Sequence, residues 1–233
     1  MKRFFTLAAL AAIIAANAHS LSMEGGIGGA YGFVTIENSA EQSGVTTAGK
    51  TTDNAWGLKA EATLGISRSF GIQLDMTFLL PTTYRTLTAK SNSPTVEETN
   101  GTRSDSFIFN AFLGPVFISS ANSLDVKIGA GLNFSYNRQK ERFAKDSLIG
   151  ILHGGNDTVI TNAFFGIGAG VTLDITYLLN KQTGVKVGIV GAYSWTDKAS
   201  VRKQFGSKDL TATGEYKAEG LYVIPDISLI YKF

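Results

Sequence analysis

The chain has 233 residues, of which 11% are aromatic, 26 are glycine, four are proline and none is cysteine; 21 basic and 19 acidic residues leave a formal charge of +2. The missing cysteine excludes a disulfide scaffold, thiolate-held zinc or iron–sulfur, a thiol nucleophile and an acylated lipoprotein cysteine. The near-neutral balance gives nucleic acid no electrostatic footing, and no nucleic-acid partner is expected.

Residues 1–20 open with Met1, Lys2 and Arg3, continue with an apolar run from Phe4 to Ala16 and end on Asn17-Ala18-His19-Ser20. That order of basic start, short apolar stretch and small residues is a secretory signal peptide. A run of about 13 residues is too short for a helix across roughly 30 Å of hydrocarbon. The small-x-small rule places cleavage after Ala18 or after Ser20. Cleavage after Ala18 is preferred, which leaves a signal peptide at 1–18 and a single mature domain at 19–233. Without Lys2 and Arg3 the basic count falls to 19 against 19 acids. No later apolar run approaches 18 residues, so membrane residence would require a barrel.

Period-two alternation is the test, because a barrel strand sends alternate side chains to lipid and to lumen. A first segment, 25–36, puts Ile27, Tyr31 and Phe33 on one face. The second, 56–66, sets Trp56, Leu58, Ala60, Ala62, Leu64 and Ile66 against Gly57, Lys59, Glu61, Thr63 and Gly65 without a break. The third, from Phe70, alternates fully until Leu79, with Gln73 and Asp75 on its polar face. The fourth, 106–118, carries Phe107, Phe109, Leu113 and Phe117. The fifth, 124–137, is the cleanest, running from Leu124 to Tyr136 against Asp125, Lys127 and Asn133. The sixth, 162–175, holds Asp174 on the polar face and one aromatic, Phe164, on the wrong side. The seventh, 184–195, opposes Lys186 to Val185, Val187, Ile189, Tyr193 and Trp195. The eighth, 220–233, sets Leu221, Val223, Ile227, Leu229, Tyr231 and Phe233 against Asp226, Ser228 and Lys232.

Eleven to thirteen residues tilted near 40° project to roughly 28–33 Å, a hydrocarbon thickness and about twice a usual soluble strand. Short turns near 67–69, 119–123 and 176–183 alternate with four segments of about twenty residues, 37–54, 82–104, 138–160 and 196–218. The expected fold is therefore all-β, an eight-stranded antiparallel up-and-down transmembrane β-barrel with both termini on the periplasmic side and four long loops outside.

Ile227, Leu229, Tyr231 and Phe233 alternate up to the last residue. This ending resembles the signal by which outer-membrane barrels are recognised for assembly. With the signal peptide and the eight segments, the chain resembles the broad family of small outer-membrane β-barrels that includes porin-like, OmpA-type and opacity-type surface proteins. The resemblance spans the mature chain and implies insertion by the outer-membrane assembly machinery. It implies no particular ligand.

Lys59, Glu61, Asp75, Asp125, Lys127, Asp174, Lys186 and Asp226, with Lys232, form the expected lumen charge network. An eight-strand interior is only wide enough for side chains to fill, so a salt-bridged plug is the leading reading and a narrow ion path the second. Inward glycines such as Gly129, Gly131, Gly166, Gly168 and Gly170 would leave room for water in such a path. The aromatics Tyr31, Trp56, Phe78, Phe107, Tyr136, Tyr193, Trp195 and Tyr231 suit interfacial girdles. Arg138, Lys140, Arg142 and Lys145 in the third loop, with Arg202 and Lys203 in the fourth, make a basic patch. Such loops suit anionic lipopolysaccharide or a host or matrix polyanion.

Chemistry has little footing. His153 with Asp157 or Asp146 is the only candidate rim pair, and a lone loop histidine is ordinarily a solvated side chain. Gly166-Ile167-Gly168-Ala169-Gly170 lacks the strand-to-helix turn of a phosphate loop. Gly154 to Thr158 is one copy of a calcium repeat that requires stacking. The expected function is a structural envelope protein presenting its loops as an adhesin or surface antigen, or alternatively a small diffusion channel. No enzymatic activity, cofactor or metal is expected.

Overall fold

The computed structural model describes residues 21–42, 45–90, 96–102, 105–143, 145, 154–196, 199–205, 208–214 and 217–233. The signal-peptide segment 1–18 and His153 lie outside them. Eleven strands are described: β1 (Ser22–Gln42), β2 (Val45–Ser67), β3 (Phe70–Lys90), β4 (Val96–Thr102), β5 (Phe107–Ala121), β6 (Leu124–Phe143), β7 (Thr158–Leu178), β8 (Thr183–Thr196), β9 (Ala199–Phe205), β10 (Lys208–Gly214) and β11 (Lys217–Lys232). Eight of them, β1, β2, β3, β5, β6, β7, β8 and β11, form one antiparallel ring. The ring closes where β1 pairs with β11 from Glu24 opposite Lys232 to Ser39 opposite Lys217. The eight alternating segments of the sequence are the eight staves of this ring.

One end carries tight turns. Arg68 and Ser69 link β2 to β3, and Asn122 and Ser123 link β5 to β6. Asn122 takes a φ of 54°, a left-handed conformation that asparagine tolerates at a hairpin turn. Between β7 and β8 the Asn180 side-chain oxygen accepts the N–H groups of Gln182 and Thr183, both at 2.8 Å.

The opposite end departs from the expected loops. The described residues of segment 37–54 are all strand, and β4, β9 and β10 continue the sheet above the ring, β4 on β3, β9 on β7 and β10 on β9. Polar cross-strand pairs hold these extensions: Lys50 to Glu37 at 2.7 Å, Thr51 to Thr86 at 3.0 Å and Thr35 to Thr52 at 3.4 Å. Such pairs stabilise a sheet in water by a few tenths of a kcal/mol each, up to about 1 kcal/mol. Pro81, which cannot donate to the ladder, marks the boundary: the β2–β3 register shifts there, and Thr82 bonds back to the Asn54 carbonyl at 3.2 Å.

The outer face is apolar around the whole ring. On β6 it runs from Leu124 to Tyr136, about 30 Å for a tilted strand; on β2 it runs from Trp56 to Ile66, and on β11 from Leu221 to Phe233. Its members stand exposed, Trp56 at 64% and Leu58 at 73%. At the hairpin end the band finishes in aromatic contacts, Tyr31 with Trp56 and Phe33, Phe107 with Phe78 and Tyr136, and Tyr193 with Trp195. At the turn end Tyr231 meets Phe233 edge-on.

Glycine in the wall serves closure. A Cβ at Gly168 would stand 1.8 Å from the Tyr193 carbonyl oxygen; the staves curl so tightly here that β8 backbone occupies the space. At Gly168, backbone and not open space takes the place of a side chain. Gly168→Val is expected to prevent β7–β8 closure, and the variant should run on semi-native gels only at the position of heat-unfolded protein, whereas wild type shifts on heating.

Candidate functional site in the barrel lumen

The inward side chains form layers, and each follows from which residue the alternation turns inside. Near the tight turns, Lys127 donates to Glu24 and, at 3.2 Å, to the Thr63 hydroxyl, and Lys232 donates to Asp125. Glu24 escapes the sequence reading because the first segment begins one residue later; extending the alternation backward, with Met23 outward, would have found it. These residues line a vestibule of about 410 Å³ that opens at this end, with Ser22, Ser120 and Arg68 among its walls.

Beyond the vestibule a charged belt crosses the lumen. Lys59 donates to Asp226 at 2.8 Å and lies 3.3 Å from both Glu61 and Asp75. Lys186 pairs with Glu61, with Asp226 at 3.1 Å and with Asp174 at 3.2 Å. The Gln73 amide joins two of the acids, donating to Asp75 at 2.9 Å and to Asp174 at 2.7 Å, and Ser228 donates to Asp226 at 3.2 Å. Both lysine side chains are fully buried. Six of the eight expected lumen residues thus meet in one network, while Asp125 and Lys127 belong to the vestibule. A Cβ at Gly188 would come within 2.3 Å of Asp174 and 2.7 Å of Asp226; glycine there lets carboxylates from two staves share Lys186.

Glu61, Asp75 and Asp174 each bring an oxygen within 4.8 Å of the others. The two ammonium groups bridge this trio, Lys59 from Glu61 to Asp75 and Lys186 from Glu61 to Asp174. With Asp226, four carboxylates share these two ammonium groups, so the chain's own cations meet part of the negative charge.

Above the belt an apolar cluster fills the lumen among buried polar side chains that include Asn110, Asn133 and Asn137, and the sequence reading did not foresee that cluster. Val34, Leu79, Ile108, Phe112, Phe164, Val190 and Ile224 all turn inward and are buried. Leu79 and Phe164, the two breaks in alternation, are members of this layer. Tyr222 crosses it, accepting from Asn137 at 2.7 Å beside a Ser135–Ser194 pair at 2.7 Å. A last polar tier, Gln139 to Asp53 at 2.5 Å, caps the hairpin end.

The other expected residues lie outside the lumen. Arg138, Lys140 and Arg142 stand in a column on the outer face of β6, and Lys145 is exposed beyond it. Arg202 and Lys203 run in β9 in register with Thr161 and Ile160; their side chains fall outside the described residues. Ile227, Leu229, Tyr231 and Phe233 share the outward face of β11. Asp157 accepts the Lys145 N–H at 2.9 Å, and Asp146 lies outside the described residues.

An edge-free ring, apolar all round outside and filled inside, is a transmembrane β-barrel of the bacterial outer-membrane type. No family model and no curated protein matches the sequence. Among solved structures, the outer membrane protein OprG of Pseudomonas aeruginosa is similar over 92% of this chain and 97% of its own, with 16% identity and a TM-score of 0.55. A major outer membrane protein of Thermus thermophilus is similar over 87% of this chain and 99% of its own, with 9% identity and a TM-score of 0.53. At such identities the likeness shows the fold.

Removing one partner from a buried ion network leaves charge uncompensated and costs about 3–5 kcal/mol. Lys59→Met is expected to lower unfolding stability in lipid vesicles by that amount, measured by urea titration of tryptophan fluorescence. Adding Asp226→Asn should recover part of the loss, because the belt then has one fewer unmatched carboxylate.

Proposed function

We propose that the protein is a non-conducting wall element of the outer membrane, with its tight turns in the periplasm and its four extended hairpin ends presented at the cell surface as an interaction platform. The observation that carries this reading is the filled lumen: a buried charged belt lies across the ring, and an apolar layer sits on top of it. Work that a hollow barrel would do in its channel then falls to the outside. Polar strand extensions rise past the aromatic ring as paired sheet, a surface suited to an adhesin or surface antigen. The outward alternation of Ile227, Leu229, Tyr231 and Phe233 on β11 supports delivery by the outer-membrane assembly machinery as part of this reading. The reading includes no catalytic step.

A small diffusion channel is the second reading, and the vestibule favours it. Its charged walls would gather ions at the periplasmic mouth, and rearrangement of the belt would let them pass. Planar-bilayer recording separates the two. The wall-element reading expects a folded, heat-modifiable barrel with a silent baseline. Ion-selective openings of wild type that change on Lys127→Ala would establish the channel instead.

A further inference from the structure

The outer face of β6 changes character in one step. Its outward positions run apolar to Phe134 and Tyr136, then continue as Arg138, Lys140 and Arg142. Period-two geometry stacks these cations in a single column, each about 5 Å higher than the last on a strand tilted near 40°. The column begins directly beyond Tyr136, whose ring lies 5.6 Å from that of Phe107 in the aromatic boundary. By register its flanks are neutral: Phe107 and Ala163 beside Arg138, Thr161 beside Lys140 and Val159 beside Arg142.

Among the described residues, Asp105 is an acid that reaches the column. Asp105, held at a φ of 57° ahead of β5, accepts from Lys140 at 3.2 Å and from Arg142 at 2.8 Å on the same oxygen. The hydrogen bond from Lys140, then that from Arg142, hold its carboxyl below the usual carboxylate range. Asp105 therefore keeps those two cations side by side at neutral pH. Among the described residues Arg138 has no acidic partner, and it is exposed. Arg138, Lys140, Arg142 and Asp105 together carry a charge of +2 at the level where hydrocarbon gives way to headgroups. Elsewhere on the same rim the outward Lys50 is matched by Glu37 at 2.7 Å.

We propose that the Arg138–Lys140–Arg142 column is a binding site for the phosphate groups of a phosphorylated glycolipid in the outer leaflet. The side chains project sideways from the wall, toward lipids packed against it. Guanidinium forks suit bidentate contact with phosphate oxygens, and Tyr136 and Phe107 below them meet the top of the acyl region. The inference rests on the outer-membrane reading with the hairpin end outward.

The test uses the folded barrel in phosphatidylcholine nanodiscs, with lipid A and lipid A stripped of both phosphates as probes and bound lipid counted by native mass spectrometry. Wild type should retain the phosphorylated form preferentially. Arg138→Gln/Lys140→Gln/Arg142→Gln should weaken that binding about tenfold or more, because the charge-assisted contacts to phosphate are lost. Lys50→Gln/Lys217→Gln should bind as wild type. Equal retention of the two lipids, or an equal loss in the Lys50/Lys217 variant, would overturn the site while leaving the barrel reading intact. A wild-type chain that fails to insert in lipid at all would overturn the outer-membrane reading and the site with it.

Discussion

A polypeptide in hydrocarbon has no water to bond its amides, and an unsatisfied backbone group there costs several kcal/mol. The pairing of β1 with β11 answers that constraint, because it converts an eight-stranded sheet with two open edges into a ring with none. Everything else follows from closing so few strands. The wall curls until backbone meets backbone at Gly168, and the interior shrinks to side-chain width. Outward positions must then be apolar for about 30 Å, and inward positions must fill a narrow space while satisfying whatever polar groups they carry.

The lumen solves the filling problem in two ways. Toward the hairpin end it packs Val34, Phe112, Val190 and Ile224 as a soluble core would. Toward the turn end it buries lysines and carboxylates together. A buried ion pair gives little net stability, since desolvation offsets most of the Coulomb attraction. The belt is better understood as a specifier of register: Lys186 on β8 reaches Glu61 on β2, Asp174 on β7 and Asp226 on β11, and a stave slipped by one residue would turn its member of the network into lipid.

Polarity contrast explains what the sequence revealed. Where one face met lipid and the other met the belt, as in β2 from Trp56 and β6 from Leu124, alternation identified the stave and its inward charges together. Above the belt β8 and β11 are largely apolar on both faces, so Tyr222, Ile224 and Val190 gave no contrast and their inward direction was missed; Leu79 and Phe164 registered only as irregularities. Beyond the membrane both faces are polar, as with Thr51 and Thr52, so strand continuations resembled loops. The lumen partners Lys186 and Glu61 are 125 residues apart, and only ring closure brings them into contact. The basic column on β6 was legible as a cluster, but not its outward direction or its single clamp at Asp105.

The belt and the apolar cluster together seal the lumen between the vestibule and the surface. The chain has no cysteine of its own, so single cysteines report access without background. Ser120→Cys, in the vestibule wall, and Val190→Cys, in the apolar layer, would be treated with a small water-soluble maleimide in folded barrels. A sealed lumen predicts prompt labelling at position 120 and none at 190 until the barrel is unfolded. Labelling of both at similar rates in the folded state would contradict it.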